Sequence, residues 1–239
     1  MLRYAGGKQR AIQTLDAYVP DVTEIISPFM GGCSFELSLA KKGIKVYCND
    51  IVQPLVNYFQ QQQTNQTDLL SCIQGYLPIT KEKFHESKRT LREGSNVEQA
   101  AKFFVLNRSC FSGCITGGFS GTRFTESCIK PLDLTNMEFS NMDYIDFLNA
   151  HPDTFAYLDP PYDVPNLYAS PKFDHVRLAN TLRNRQNWFM SYNDTPLIRE
   201  LYETWCSIET VSWVYGMSKV KQSNEVIIRP VIPIFTQPK

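Results

Sequence analysis

Residues 156–162 read Ala-Tyr-Leu-Asp-Pro-Pro-Tyr, and no other stretch restricts the fold as much. An apolar run of the kind buried as a strand is ended by a carboxylate and two prolines. The fixed φ and missing N–H of proline forbid continuation as a helix or central strand. A strand therefore stops at Asp159 and presents acceptors, followed by the flat ring of Tyr162. Such a turn suits a planar ring with an exocyclic amino group, stacked on Tyr162, its N–H bonds received by Asp159 and the Pro160 carbonyl. Taken alone it suits an ordinary strand-ending turn as well, so the rest of the chain decides.

Upstream, strand-like and helix-like segments alternate. The β-rich run Val22–Ile26 leads into Ser27-Pro28-Phe29-Met30-Gly31-Gly32-Cys33 and a helical pattern over Ser34–Lys42. Strand, glycine turn and helix open a doubly wound α/β sheet, in which glycines let a cofactor approach the backbone. The next strand, Lys45–Cys48, ends at Asn49-Asp50. Asp50 lies about 20 residues beyond the turn, where an acidic residue bonds ribose hydroxyls, although a helix-capping role is also open. The turn is neither Gly-x-Gly-x-x-Gly nor a Walker segment, so a ligand with a ribose but no phosphates fits best. Before it, Arg3-Tyr4-Ala5-Gly6-Gly7-Lys8 precedes a helix-like segment, Gln9–Tyr18, and offers free backbone N–H groups and one charge to an anionic ligand.

From Leu55 to Lys130 the pattern changes to a polar tract (Gln60–Gln66), a charged helical run (Ile79–Arg92), an aliphatic helix (Val97–Leu106) and a Gly/Ser/Cys-rich loop (Asn107–Phe124). The loop carries Arg, Asn and Phe, residue types that read base edges or wedge between bases. Residues 81–130 hold nine Lys/Arg against five Asp/Glu, an excess of four in a chain of zero net charge. Such a patch can bind phosphates, or be a solvated helix face. The expected organisation is a catalytic domain, 1–54 and 131–239, with a mainly helical lobe, 55–130, inserted into it. After it come Asn141–Tyr144, helix Ile145–Ala150, the strand into Asp159, a segment centred on Tyr168, helix His175–Arg185, strand Trp188–Tyr192 and helix Pro196–Trp205. Two final β-patterned runs, Ser207–Tyr215 and Asn224–Ile232, lack a helix between them, which predicts an antiparallel edge hairpin on a mostly parallel sheet.

The remaining composition excludes several classes. No run approaches the roughly 18 apolar residues of a membrane span, and Met1–Arg10 has no apolar signal segment, so the expectation is a cytoplasmic or host-interior protein that is not secreted. Seven cysteines without Cys-x-x-Cys spacing indicate neither a zinc site nor a disulfide framework.

With these pieces in order, the sequence resembles the Dam-type (D12 class, alpha group) DNA adenine N6-methyltransferases. The resemblance rests on Tyr4-Ala-Gly-Gly-Lys8, Pro28-Phe-Met-Gly-Gly32, Asn49-Asp50, Asn107-Arg108 with Phe111-Ser-Gly113, Asn141-Met-Asp-Tyr144 and Asp159-Pro-Pro-Tyr162. It implies a Rossmann-like class I methyltransferase that moves a methyl group from S-adenosylmethionine to N6 of a flipped-out adenine in double-stranded DNA, acting as a monomer or weak dimer. It also implies a cofactor site of Tyr4, Lys8, Phe29, Gly31, Asp50, Asp143, Tyr144 and Asp159, and catalysis by Asp159, Pro160 and Tyr162. Arg108, Phe111, Arg123 and Lys130 are the DNA-contact candidates. Two departures stand out: Ser27 occupies a position often held by Glu, and the segment Arg-x-Asn-x-x-Gly-x-Phe-Asn-x-Pro-Phe-Gly of members that read GATC is missing. The same Asp-Pro-Pro-Tyr also serves N-methylation of an RNA base or a glutamine amide. A DNA-binding module whose catalysis has lapsed is the non-enzymatic alternative.

Overall fold

A computed structural model describes residues 2–4, 6–113, 115, 117–121, 124–162, 173–212, 214–215, 221–222 and 225–231. After a 3-10 turn (Lys8–Arg10) come α1 (Ile12–Asp16), β1 (Glu24–Ser27), α2 (Ser34–Ala40) and β2 (Lys45–Asn49). Four helices follow, α3 (Gln53–Thr64), α4 (Gln66–Gln74), α5 (Lys81–Arg89) and α6 (Asn96–Ser109), before β3 (Met137–Ser140), α7 (Tyr144–Ala150) and β4 (Ala156–Leu158). The chain continues through α8 (His175–Leu182), β5 (Trp188–Asn193), α9 (Pro196–Tyr202), β6 (Cys206–Val211), the short pair β7 (Val214–Tyr215) and β8 (Lys221–Gln222), and β9 (Glu225–Pro230).

Seven strands form one sheet in the order β3-β2-β1-β4-β5-β9-β6. The order runs outward one way from β1 and the other way from β4, so the two strands flank a topological switch point, the place where open α/β sheets bind ligands. This is the Rossmann-like α/β arrangement expected from the strand–glycine turn–helix opening. The C-terminal pair forms the expected antiparallel hairpin at one edge, with its second strand on the inner side. Strand β9 is antiparallel to both β5 and β6, so β6 keeps the common direction and β9 alone is reversed. The β7–β8 pair lies in the connection that carries the chain back into the gap.

Both faces of the sheet are covered, so β1, β4 and β5 are buried almost without interruption. Alternation decides which layer each residue serves. Tyr157 and Phe189 join the core under α1 to α4 and α6, while Ala156, Leu158, Trp188 and Met190 join the one under α7 to α9. Among the described residues no helix is long and apolar enough to cross a membrane.

Three helices of the insert, α3, α4 and α6, share this core. Phe59 of α3 stacks on Phe139 of β3 at 5.2 Å, and Tyr58 stacks on Phe104 of α6 at 5.4 Å. A capping box of Ser95 and Glu98 starts α6. The polar tract turns out to be the second half of α3 and the start of α4. Gln60 Nε2 donates to the Phe139 carbonyl, Gln63 to those of Leu134 and Met137, and Gln66 to that of Leu132, all within 3.1 Å. These amides fasten the chain into β3, a strand too short to be told from the turns around it by its own pattern.

The N-terminal segment is tied to the end of α6. Buried Asn107 accepts from the Arg3 backbone N–H at 2.8 Å and donates to the carbonyls of Arg3 (2.7 Å) and Gly113 (3.0 Å). Gly113 has φ +76°, and a Cβ there would meet the Arg3 carbonyl oxygen at 2.1 Å. Gly113→Ala is therefore expected to destabilise the protein by about 2 kcal/mol or more, from left-handed strain plus the clash, measured as a lowered urea midpoint.

Candidate active site

The turn after β1 is shaped by its glycines and by Asp50. The Gly31 N–H donates to Asp50 Oδ2 at 3.1 Å, and the Val52 N–H donates to Oδ1 at 2.9 Å. Gly31 has φ +46°, and the Tyr4 ring lies so close that a Cβ on Gly31 would be 2.8 Å from it. Asp50 is buried at the end of β2; burial pushes its pKa up to about 6 despite the N–H donors of Val52 and Gly31. Two carboxylate oxygens accept more than two bonds, so Asp50 has capacity for a ribose hydroxyl.

At the end of β4, Asp159 keeps 21% of its side chain open, while the Lys8 side chain is 3% exposed. Lys8 Nζ donates to Asp159 Oδ1 at 2.5 Å and to the Gly6 carbonyl at 3.0 Å, and stands 4.7 Å from the Tyr162 ring centroid. Ser191 Oγ on β5 is 3.2 Å from the same Asp159 oxygen and 3.0 Å from the Tyr157 hydroxyl. Burial raises the Asp159 pKa, and Lys8 and then Ser191 oppose it. The Tyr162 hydroxyl donates to Glu225 Oε2 at 2.5 Å, and its ring stacks on Tyr192 at 5.7 Å. Tyr192 contacts His175 Nδ1 and donates to the Pro161 carbonyl at 3.5 Å.

A third group lines the same edge near α7. Phe29, Tyr144 and Phe173 form an aromatic triangle with centroids 5.2 to 5.7 Å apart. Asp143 caps α7 through the Ile145 N–H and forms an ion pair with Arg177, whose guanidinium also covers the Tyr144 ring at 5.3 Å. Tyr144 is 8% exposed, yet its buried hydroxyl has no hydrogen-bond partner. An orphaned hydroxyl beside flat rings and a carboxylate, next to an acid at a strand end, fits a nucleoside ligand with an amino-bearing ring.

The structure thus brings Tyr4, Lys8, Phe29, Gly31, Asp50, Asp143, Tyr144, Asp159, Pro160 and Tyr162 to one edge of the sheet. The DNA-contact candidates are dispersed. Phe111 is 64% exposed and Lys130 is exposed. Arg108 is in the last turn of α6 rather than on the loop, half-buried with its guanidinium against Cys128 Sγ at 2.9 Å, because helix periodicity turns position 108 inward. Of the loop's other phenylalanines, Phe119 packs on Phe84 and Phe124 on Phe104, so neither is a free wedge. Arg123 and Tyr168 lie outside the described residues.

Several residues here were not legible beforehand. Ser191, Phe173 and Arg177 sit in segments read only as strand or helix. Glu225 and Glu36 are lone acids within apolar runs, a pattern that signals a buried polar contact. Glu36 of α2 is buried and accepts from Ser27 Oγ at 2.7 Å, so at the position where Glu is frequent a serine instead receives a carboxyl from the neighbouring helix.

Burial raises the Glu36 pKa from the ordinary 4.5 to about 7, opposed by the Ser27 bond. Because the folded state holds the proton more tightly, this contribution to stability is complete below pH 4.5 and is lost as pH rises through about 7. Glu36→Gln should leave stability at pH 4.5 unchanged and raise it at pH 8 by up to about 3 kcal/mol, read from thermal melts across that range.

Comparison with known proteins agrees with this geometry. The family described as D12 class N6 adenine-specific DNA methyltransferase matches residues 4–217. The chain is similar to the type II methyltransferase M.CviBI of Paramecium bursaria Chlorella virus NC1A, 25% identical over 232 residues that span 87% of this chain and 88% of that protein. It is also similar to a DNA N-6-adenine-methyltransferase of Escherichia phage P1, 24% identical over 117 residues, 47% of this chain and 15% of the phage protein. Among solved structures, precorrin 8w decarboxylase from Methanobacterium thermoautotrophicum aligns over 94% of this chain and 91% of its own, with a TM-score of 0.38 and 10% identity, a likeness too weak to bear on activity. The family match takes in all six motif segments, from Tyr4 through Tyr162, and the chain belongs to the D12 class N6 adenine-specific DNA methyltransferases.

Proposed function

We propose that the Asp159 edge binds S-adenosylmethionine and methylates N6 of an adenine turned out of double-stranded DNA. The observation that carries this reading is the position of Lys8. An N–H donor already sits on Asp159 Oδ1 and over the Tyr162 ring, the two contacts that a substrate amine requires. The Lys8 ammonium gives way as the base enters, and until then its charge opposes the burial that raises the Asp159 pKa.

An aromatic amine is a poor nucleophile because its lone pair is delocalised into the ring. Hydrogen bonds from N6 to Asp159 and to a proline carbonyl favour a pyramidal nitrogen and localise the lone pair. The Pro161 carbonyl is engaged by Tyr192, so Pro160 is the member of the pair offered to the substrate. S-adenosylmethionine, when bound, supplies a methyl group activated by the adjacent sulfonium. For that cofactor Asp50 offers an acceptor to the ribose, Tyr4 with Gly31 shapes the wall of the turn, and Phe29, Asp143 and Tyr144 offer stacking and an acceptor to the adenine. Asp159, with its raised pKa, is placed to accept the proton that N6 releases.

Extruding a paired base costs a few kcal/mol, offset in this reading by Tyr162 and by contacts from the insert. Since α3, α4 and α6 are committed to the common core, DNA reading within 55–130 falls to α5 and the segment from Phe111 to Lys130. A DNA substrate supports a location inside the cell or host.

Asp159→Asn is expected to lower methyl transfer by about 100-fold or more while DNA binding persists. Transfer from labelled cofactor, with N6-methyladenine mapped in the product and DNA binding followed by fluorescence anisotropy, checks both parts. Label appearing in RNA or protein but not in DNA would overturn the substrate assignment. Phe111→Ala is expected to weaken DNA binding about tenfold and leave cofactor binding untouched, as measured by anisotropy and equilibrium dialysis.

A further inference from the structure

We propose that Glu225 is a positioning residue for methyl transfer: it takes the single proton of the Tyr162 hydroxyl, fixes the ring that receives the target base, and so keeps that proton from Asp159. This rests on the assignment of the Asp159 edge as the methyl-transfer site.

The reversed strand makes the contact possible. Parallel strands present their C-terminal ends at the catalytic edge, whereas β9, running the other way, presents its first residue there. Glu225 is that residue, held in register opposite Asn193 of β5 on one side and Val211 of β6 on the other. It is 2% exposed, so its carboxylate is directed by the sheet rather than by solvent. A carboxyl so enclosed is stable only where it meets a donor, and the Tyr162 hydroxyl meets it at 2.5 Å.

Tyr162 needs such an anchor. Pro160 and Pro161 stiffen the backbone before it but leave its side-chain torsions free. The ring is bounded by the Lys8 ammonium and by the Tyr192 ring, and neither contact prevents it from sliding in its own plane. The hydroxyl is the point at which sliding is stopped. It also lies near enough to Asp159 to help hold that carboxyl's pKa down. A phenol has one proton to donate. Donated to Glu225, it leaves Asp159 to accept from the substrate amine; donated to Asp159, it competes with the substrate for the same lone pairs.

The test starts from the wild-type enzyme, tritiated S-adenosylmethionine and fragments of unmethylated genomic DNA. Absence of N6-methyladenine at this first step overturns the functional assignment itself, before Glu225 is examined. With transfer established, Glu225→Ala should lower kcat about tenfold, with KM for DNA and dialysis-measured binding of S-adenosylhomocysteine unchanged. Glu225→Gln, which keeps an acceptor, should recover most of the rate. In the Tyr162→Phe background, Glu225→Ala should bring no further loss, because the shared hydroxyl is already gone. If thermal melts show the alanine variant unfolded, Glu225→Met replaces it at similar volume. An unchanged kcat in the folded variant, a loss of equal size in the Tyr162→Phe background, or a glutamine variant as slow as alanine overturns the proposal.

Discussion

A carboxylate placed where burial works against its charge governs the candidate site. Asp159 ends a strand that is buried on both faces, and its pKa is pushed up by that burial. To be an acceptor it needs donors from elsewhere, and they come from parts of the chain far apart in sequence: Lys8 from the N-terminal segment and Ser191 from β5. Lys8 is in turn placed by residues 3–4. Tyr4 lies on the glycine turn, and Arg3 is bound by Asn107 and donates to the Cys110 carbonyl at 3.2 Å. The end of α6 is thereby mechanically connected to the ammonium on Asp159, so the loop that follows α6 and the Asp159 carboxylate share a support.

Much of this was legible in the sequence, for identifiable reasons. Strand–turn–helix alternation and proline-terminated strands are local signals, and they placed β1, α2, β2 and β4 with the turn residues Gly31, Asp50 and Asp159. What escaped was set by partners remote in sequence. Strand β3 depends on amides from α3, Arg108 is inward-facing because of the phase of α6, and the placement of β9 between β5 and β6 depends on where a gap exists in the finished sheet. Glu36 shows the same limit: Ser27 could be seen to lack a carboxyl, but not that a helix nine residues later would return one.

The insert also changes meaning once its packing is seen. Helices α3, α4 and α6 share the core of the sheet, with Phe59 stacked on Phe139, while Phe84 of α5 packs with Leu106 and Cys110 in a small cluster within the insert. A local excess of basic residues therefore describes two populations, some turned into the protein as Arg108 is, and some, such as Lys130, facing solvent.

The glutamine fastening of α3 and α4 has a consequence for sequence variation. Gln60, Gln63 and Gln66 donate to carbonyls of the chain and to no side chain in the 132–139 segment. The join is therefore one-sided in what it demands of the genetic text. It constrains three amides, two on α3 and one on α4, and it leaves the bonded positions free to drift under other pressures, because any amino acid brings the same carbonyl.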